Sequence, residues 1–138
     1  MAKHVLEQGA AELRIFSRDE AKQDAMRHAL GDDRVRFYIG DVRDPLSVKS
    51  AIQGTDLLFH AAALKQVDTA EYNPFEYVQT NIIGSQNVIE ASIDTGIKKV
   101  VALSTDKASS PLNLYGATKL AADKLFQSAN HYAAGYET

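Results

Sequence analysis

Apolar residues along the chain fall into short runs that alternate with longer stretches of helical periodicity. The short runs are typical of β-strands and cover residues 11–16 (AELRIF), 34–39 (RVRFYI), 56–62 (DLLFHAA) and 98–104 (KKVVALS). The longer stretches predict helices over residues 20–30, 45–53, 74–95 and 113–132. Strands that alternate with helices in this way form right-handed βαβ units, which predicts an α/β fold with a doubly wound parallel sheet.

Capping and turn residues set the boundaries of these elements. Ser17 or Asp19 can cap the helix after the first strand, and Pro45 suits the first turn of the next helix. The pair at residues 73–74 (Asn-Pro) opens a long helix that Gly96 closes. The third and fourth strands are nearly continuous apolar runs, so we expect them to be buried on both faces.

Both ends of the chain are unusual for this class of fold. Residues 1–9 (MAKHVLEQG) have the pattern of a helix end that leads directly into the first strand. A doubly wound sheet begins instead with a strand and a Gly-rich turn. We find no repeat or linker that marks an internal boundary. Residues 1–138 are therefore predicted to be one partial Rossmann-like domain, truncated at both ends.

Composition narrows the classes of function. The chain has 138 residues, 45% of them hydrophobic, with a net charge of −3 and no cysteine. No basic run is present for binding nucleic acid, and no apolar stretch approaches the roughly 20 residues that span a bilayer. The first residues lack the apolar core of a signal peptide. We expect a cytoplasmic protein with no nucleic-acid partner, no membrane segment and no metal site.

Polar residues that follow the strands are the first candidates for a site, because open parallel sheets bind ligands beyond the carboxyl ends of their strands. Ser17 and Arg18 follow the first strand, where an Arg accommodates a 2′-phosphate and therefore favours NADP over NAD. Asp41, followed by Val42, comes after the second strand, and its carboxylate can accept a hydrogen bond from adenine. A capped helix start and an ordinary Gly-Asp turn are the alternatives.

The segment after the third strand carries small residues and a cation. Ala61, Ala62 and Ala63 allow close approach of a flat cofactor, and Lys65 stands where an anionic substrate can lie. Tight packing between strand and helix explains the alanines equally well. For His60 we favour a hydrogen-bonded core residue over a catalytic one, since no further ligand stands at metal-binding spacing.

The segment after the fourth strand is the richest in reactive side chains. Thr105, Asp106 and Lys107 follow that strand directly, and Tyr115 and Lys119 open the next helix. Residues four apart on a helix share a face. An ammonium in that position favours the ionised form of a phenol and prepares it as a base. The alternatives are an amphipathic helical turn and an exposed ion pair between neighbouring residues.

Six stretches of the sequence together resemble one enzyme family: FSRDEAKQ, FYIGDVRD, HAAALKQV, EYNPFEYVQTNIIGSQNVIEA, STDKASSPLNLYGATK and KLFQSAN. They look like the UDP-N-acetylglucosamine 4,6-dehydratases of the polysaccharide-biosynthesis branch of extended short-chain dehydrogenases/reductases. The Tyr of YGATK is similar to that of the inverting type, which starts pseudaminic acid synthesis. Retaining, membrane-bound relatives commonly have Met there.

The resemblance implies a cofactor, a substrate and an oligomeric parent protein. NADP would contact Ser17 and Arg18 through its 2′-phosphate and Asp41 and Val42 through its adenine. The remaining cofactor contacts would come from residues 61–63 and from Tyr115 and Lys119. Lys65 would face UDP-N-acetylglucosamine or a related nucleotide sugar.

The resemblance also implies how the reaction proceeds. Tyr115, assisted by Lys119, would take the proton of the C4 hydroxyl while a hydride leaves C4. Lys107 would then remove the C5 proton, Asp106 would protonate the departing C6 hydroxyl, and Thr105 would polarise the C4 oxygen. Return of the hydride to C6 and protonation of C5 from the opposite face complete the dehydration. Elimination requires a neutral amine and a protonated acid, so we expect the Asp106–Lys107 pair to be enclosed.

The sequence also departs from the family pattern. The first strand, its Gly-rich turn and the C-terminal substrate half are absent, and Asp68 stands where we expect Pro. We therefore expect the chain by itself to bind NADP poorly and to be inactive. The alternatives are a 4-epimerase or reductase of the same family, which needs Tyr and Lys without the Asp-Lys pair, and a non-catalytic remnant.

Overall fold

A computed structural model describes residues 1–133 of the chain. Its helices are α1 (Ala2–Glu7), α2 (Glu20–Leu30), α3 (Pro45–Ile52), α4 (Val67–Tyr72), α5 (Pro74–Tyr77), α6 (Gly84–Thr95) and α7 (Leu114–Ala133). Its strands are β1 (Leu13–Ser17), β2 (Val35–Ile39), β3 (Leu57–His60) and β4 (Lys99–Ala102). A π-helical segment (Val78–Ile83) lies between α5 and α6, and a 3-10 turn (Asp106–Ala108) precedes α7.

The strands pair in parallel, as the sequence predicts. β1 pairs with β2 from Leu13 opposite Val35, and β3 pairs with β4 from Leu57 opposite Lys99. Each intervening connection contains a helix, so the predicted α/β class with βαβ units is confirmed.

The part of the chain that the structure describes divides into two compact units. Residues 1–41 form one unit, and residues 42–133 belong to the other. Within residues 1–133, the strand pairs form two separate two-stranded sheets. Helical periodicity and strand signals predict the elements themselves, but they do not determine which strands exchange hydrogen bonds.

Local caps explain where the helices of each unit begin. The carboxylate of Asp19 accepts a hydrogen bond from the amide of Lys22 at 2.9 Å, so Asp19 rather than Ser17 is the cap of α2. In the second unit, Asp44 caps α3 and Pro45 occupies its first turn. Gly96 ends α6 in the left-handed conformation (φ 71°), which only glycine adopts without strain.

The long helix predicted over residues 74–95 is interrupted by the π-helical segment. A π-helical turn contains an extra residue and therefore changes which side chains face inward. Here it turns Thr80 and Asn81 inward, where both are buried. Both residues are polar within a largely apolar stretch, but this pattern does not by itself predict a π-helical turn.

The expectation that β3 and β4 are buried on both faces is wrong. Leu57 is 58% exposed and Phe59 is 44% exposed, whereas His60 is buried. Exposure therefore alternates along β3, as in a strand with one covered face. The core of this unit includes Val88 and Ile89 of α6, each 3% exposed.

Candidate active site

The N-terminal half of α7 forms one wall of a small open pocket in the second unit. Tyr115 and Lys119 lie one helical turn apart and are 7% and 9% exposed. The pocket has a volume of about 150 Å³, and its other lining residues are Ala61, Ala63, Lys65, Leu103 and Ser104. The structure thus brings the predicted Tyr-Lys pair together with the segments that follow β3 and β4. Ala62 is half-buried and does not line the pocket.

Lys119 is held at the end of β4. Its Nζ donates a hydrogen bond to the carbonyl oxygen of Leu103 at 3.1 Å. Burial lowers the pKa of Lys119 below its usual value; the carboxylate of Asp123 opposes this shift, and the positive charge of Lys65 adds to it. An ammonium in these surroundings is fixed in position and releases its proton more readily than an exposed lysine.

Asp123 lies one turn beyond Lys119 on the same face of α7. The hydroxyl of Ser104 donates to its carboxylate at 2.5 Å. Leu103 and Ser104 are therefore anchored to α7 by Lys119 and Asp123, which stand four residues apart. Asp123 is absent from the sequence-based prediction, although its spacing from Tyr115 and Lys119 was an available signal.

The Asp106–Lys107 pair lies in the 3-10 turn and is exposed. Lys107 Nζ lies 3.0 Å from the Asp106 carboxylate, and their side chains are 54% and 81% exposed. The hydroxyl of Thr105 also donates to Asp106, at 3.1 Å. Hydrogen bonds from Lys107 and then from Thr105 hold the pKa of Asp106 below its usual value.

The expectation that this pair is enclosed is therefore wrong for the structure. Enclosure would raise the pKa of the acid, whereas the exposed Asp106 has its pKa lowered by a neighbouring cation. None of Thr105, Asp106 and Lys107 lines the pocket.

A glycine allows the 3-10 turn to approach α7 closely. A Cβ atom placed on Gly116 would lie 2.2 Å from the carbonyl oxygen of Lys107 and 2.9 Å from a side-chain carbon of Pro111. No side chain fits at that distance. The glycine of the YGATK motif thus lets the Asp106–Lys107 turn pack beside Tyr115.

Asn81 of the π-helical segment fixes the loop after β3. Its Oδ1 accepts from the amide of Leu64 at 2.9 Å, and its Nδ2 donates to the carbonyl of Leu64 at 3.1 Å and to the Thr118 hydroxyl at 3.0 Å. The side chain is 2% exposed. The loop that carries Ala63 and Lys65 is therefore tied to the helix that carries Tyr115.

His60 belongs to the same buried region. Its Nε2 lies 3.2 Å from the Ser85 hydroxyl, which itself donates to the carbonyl of Asn81 at 2.7 Å. Because the hydroxyl hydrogen is used on that carbonyl, the ring must donate from Nε2. Burial, and secondarily the charge of Lys119, lowers the pKa of His60 to about 4. The interpretation of His60 as a hydrogen-bonded core residue is confirmed.

The candidate nucleotide-binding residues of the first unit lie at the ends of β1 and β2. The guanidinium of Arg18 is half exposed and lies 3.6 Å from the carboxylate of Asp41. Ser17 ends β1, and its hydroxyl accepts a hydrogen bond from the amide of Gln23 at 3.0 Å. Val42, in the second unit, is buried, and its carbonyl accepts from Asn87 at 2.9 Å.

Two further features bear on the kind of site. Residues 1–133 contain no group of three His, Cys, Asp or Glu side chains arranged to hold a metal ion. Within the same residues, no helix has the length and apolar character needed to cross a membrane.

Comparison with known proteins places the chain in a family. The family model described as "polysaccharide biosynthesis protein" matches residues 1–138. The chain belongs to this family. It is 53% identical over 124 residues to the inverting UDP-N-acetylglucosamine 4,6-dehydratase of Campylobacter jejuni (serotype O:23/36, strain 81-176), which covers 90% of this chain and 37% of that protein. It is also 54% identical over 114 residues to a UDP-glucose 4-epimerase of Rickettsia canadensis, covering 83% of this chain and 33% of the relative.

Solved structures agree with the fold. Pen from Bacillus thuringiensis superposes with a TM-score of 0.94 at 45% identity, covering 96% of this chain and 42% of that one. DesIV, a dTDP-glucose 4,6-dehydratase from Streptomyces venezuelae solved with NAD and TYD bound, gives a TM-score of 0.84 at 25% identity, covering 94% and 45%. These likenesses confirm the predicted Rossmann-like class. The chain spans about a third of the length of the curated relatives that it matches.

Proposed function

We propose that this chain is part of an NADP-dependent nucleotide-sugar 4,6-dehydratase. The reaction removes water from UDP-N-acetylglucosamine and yields a UDP-4-keto-6-deoxy sugar with inversion at C5, which makes the enzyme a hydro-lyase of surface-glycan synthesis. Similarity to the inverting dehydratase over 90% of the chain supports this substrate and reaction.

One structural observation carries the proposal. The Asp106–Lys107 pair stands on a turn that packs directly against the helix of Tyr115 and Lys119 at Gly116. Oxidation at C4 requires a base and a hydride acceptor, whereas loss of water requires an additional acid and base. The chain places both sets of groups on adjoining elements.

Tyr115 and Lys119 serve the redox half of the reaction. A bound nicotinamide ring supplies a reversible hydride acceptor. Tyr115 takes the proton of the C4 hydroxyl, and the buried ammonium of Lys119 stands one helical turn away. The hydrogen bond from Lys119 to Leu103 fixes the direction from which that charge acts.

Thr105, Asp106 and Lys107 serve the elimination. Once C4 is a ketone, Lys107 removes the acidified C5 proton, Asp106 gives a proton to the leaving C6 hydroxyl, and Thr105 donates to the C4 oxygen. The exposed pair must be desolvated before it can work in this way, because the hydrogen bond from Lys107 otherwise holds the pKa of Asp106 below its usual value. We propose that the bound sugar itself supplies this enclosure.

The residues of the first unit fit the adenosine end of a dinucleotide. Arg18 presents a half-exposed guanidinium, and the Ser17 hydroxyl beside it already accepts a hydrogen bond. Cation and hydroxyl donors together suit a 2′-phosphate, which is the basis for proposing NADP. Asp41, with Val42 after it, is proposed to contact the adenine. The NAD bound to DesIV supports a nicotinamide cofactor without distinguishing NADP from NAD.

The pocket residues of the second unit fit the other end of the cofactor and the sugar. Ala61 and Ala63 present small side chains to the pocket, and Ala62 lies between them. Lys65 is exposed at its edge, where its ammonium can attract the diphosphate of a nucleotide sugar.

A 4-epimerase is the alternative, and the similarity to the Rickettsia protein favours it. Both activities need Tyr115 and Lys119, but epimerisation at C4 leaves C5 and C6 untouched. The exposed Asp106–Lys107 pair would then have no chemical role.

Product analysis tests the proposal. We would incubate the full-length protein with UDP-N-acetylglucosamine and NADP⁺ in deuterated water. A dehydratase yields a 4-keto-6-deoxy sugar with deuterium at C5, and the Lys107→Met variant loses this product at least a hundredfold. A C4 epimer without deuterium at C5 would establish the epimerase instead.

The remaining sequence-based expectations are not tested by the structure. Location in the cytoplasm and assembly into a homo-oligomer stay predictions. A non-catalytic remnant predicts that NADP⁺ binds weakly at most and that UDP-N-acetylglucosamine is not converted. Calorimetry with NADP⁺ and product analysis measure these two properties.

A further inference from the structure

Gln23 is a buried polar residue for which the proposed reaction gives no role. It lies in the first unit on the inner face of α2 and is 3% exposed. Its amide nitrogen donates to the carbonyl of Tyr38 at 2.8 Å, to the hydroxyl of Ser17 at 3.0 Å and more weakly to the carbonyl of Ser17 at 3.3 Å. Burial of an amide is unfavourable unless the amide forms hydrogen bonds, so the role of Gln23 depends on the groups that it contacts.

The hydrogen bond from Gln23 determines how Ser17 can act. A side-chain amide nitrogen only donates, and so the Ser17 oxygen is the acceptor. The hydroxyl hydrogen of Ser17 must therefore point away from Gln23. This leaves Ser17 as an oriented donor at the end of β1.

The donor that results stands beside a cation. Arg18 follows Ser17 directly, and its guanidinium lies 3.6 Å from the carboxylate of Asp41, an ion pair that restricts its direction. Two neighbouring donors, one of them charged, suit an acceptor that carries negative charge. A ribose hydroxyl is a weaker acceptor and gains less from the same arrangement.

We infer that Gln23 is a positioning residue for cofactor selectivity, which orients the Ser17 hydroxyl as a donor to the 2′-phosphate of NADP and so discriminates against NAD. The inference rests on the proposed binding of NADP at Ser17 and Arg18. Gln23 itself does not contact the cofactor. It acts through Ser17 and through the Tyr38 carbonyl, to which it ties the end of β1.

Calorimetric titration of the full-length protein with NADP⁺ and with NAD⁺ tests the inference. In Gln23→Glu the carboxylate accepts where the amide donated, so the Ser17 hydroxyl turns toward it and away from the phosphate. We expect the ratio of the NAD⁺ Kd to the NADP⁺ Kd to fall about tenfold or more. In Gln23→Met the hydroxyl is free to rotate, and the fall is smaller. Gln127→Glu adds the same charge on an exposed part of α7 and leaves the ratio unchanged.

A double variant separates positioning from general damage. If Gln23 acts through Ser17, then Gln23→Glu changes the ratio little further in a Ser17→Ala background. Equal weakening of both cofactors in the Gln23 variants would overturn the inference, since it would mean that Gln23 only stabilises the unit. If circular dichroism shows that Gln23→Glu does not fold, the ratio of the NAD⁺ Kd to the NADP⁺ Kd is measured in Gln23→Met and Ser17→Ala instead. A fall in that ratio in both variants supports the inference, and an unchanged ratio overturns it. A wild-type protein with no preference for NADP⁺ would instead overturn the proposed cofactor.

Discussion

The two halves of the candidate site contrast in how they are held. Tyr115 and Lys119 are buried. Lys119 donates a hydrogen bond to the carbonyl of Leu103, and Asn81 holds the adjoining loop by accepting a hydrogen bond from the amide of Leu64. Asp106 and Lys107 are exposed and contact chiefly each other and Thr105. The same fourteen-residue stretch thus contains a rigid part and a solvated part.

The two parts of the site also differ in the physical cause that shifts the pKa of a side chain. Lys119 has its pKa lowered mainly by burial, which is present before any ligand arrives. Asp106 has its pKa lowered by a cation, which opposes the protonated state that an acid needs. If the two pairs act as proposed, the fold itself prepares the Tyr115–Lys119 pair, while the Asp106–Lys107 pair requires a change of environment. Substitutions in each half should differ accordingly in their effects on stability and on chemistry.

Loss of Asn81 should produce the largest effect on stability. Asn81→Leu leaves the amide and carbonyl of the half-buried Leu64 without their partners, and Thr118 loses a donor. We expect the free energy of unfolding to fall by about 3–5 kcal/mol, measured by urea denaturation. Thr118→Val removes only one of these contacts and should cost about 1 kcal/mol. Equal losses in the two variants would show that Asn81 does not secure the loop.

The buried histidine makes the rigid part sensitive to acid. The pKa of His60 is about 4 in the folded chain and 6.5 as the ordinary value, so between these pH values the unfolded state binds the additional proton. The contribution of His60 to the free energy of unfolding is fully present above pH 6.5. It is lost as the pH is lowered toward 4, at about 1.4 kcal/mol per pH unit and on the order of 3 kcal/mol in total. Urea denaturation from pH 7 to pH 4 measures the slope.

His60→Asn is the matched variant, since an amide can bond to Ser85 without titrating. Its slope between those pH values should be shallower than that of the wild type. An identical slope in both proteins would assign the acid sensitivity to other groups.

Gly116→Ala should damage the junction between the two halves. Its Cβ would lie 2.2 Å from the Lys107 carbonyl, and backbone cannot move away as a side-chain end can. We expect a loss of about 1–3 kcal/mol and displacement of the 3-10 turn. Gly84→Ala is the milder comparison, because its Cβ would meet a side-chain carbon of Val42 at 2.8 Å rather than backbone, and the substitution gains helix propensity. A Gly116→Ala variant as stable as the wild type would contradict the close approach.

Much of this architecture was predictable because each element carries its own local signals. The cap Asp19, the first-turn Pro45 and the stop at Gly96 all act within a few residues of their helix ends. Tyr115 and Lys119 were predictable because helical spacing alone places them on one face. Thr105, Asp106 and Lys107 were identified by their place after a strand, and the family pattern contributed their roles.

What escaped prediction depends on contacts between distant residues. Asn81 bonds to Thr118 across 37 positions, and nothing in the sequence near Asn81 identifies that partner. Gln23 reaches Tyr38, and Gly116 faces a carbonyl, through approaches that only the folded chain defines. The exposure of Asp106 differs from the expectation because the chemistry of elimination favours an enclosed pair, whereas no local feature of the chain requires burial.

Of all these substitutions, those in the exposed Asp106–Lys107 pair should have the smallest effect on the free energy of unfolding. Asp106→Asn keeps an acceptor for the Thr105 hydroxyl, and Lys107→Met keeps most of the aliphatic chain while removing the ammonium. Exposed ion pairs contribute little because water and salt screen them. We expect the urea midpoint of either variant to match the wild type, while formation of the 4-keto-6-deoxy product is lost. A shifted midpoint would show that the pair stabilises the 3-10 turn. Unchanged stability together with retained dehydration would remove both residues from the elimination, and the Tyr115–Lys119 half would then have to accomplish the chemistry without them.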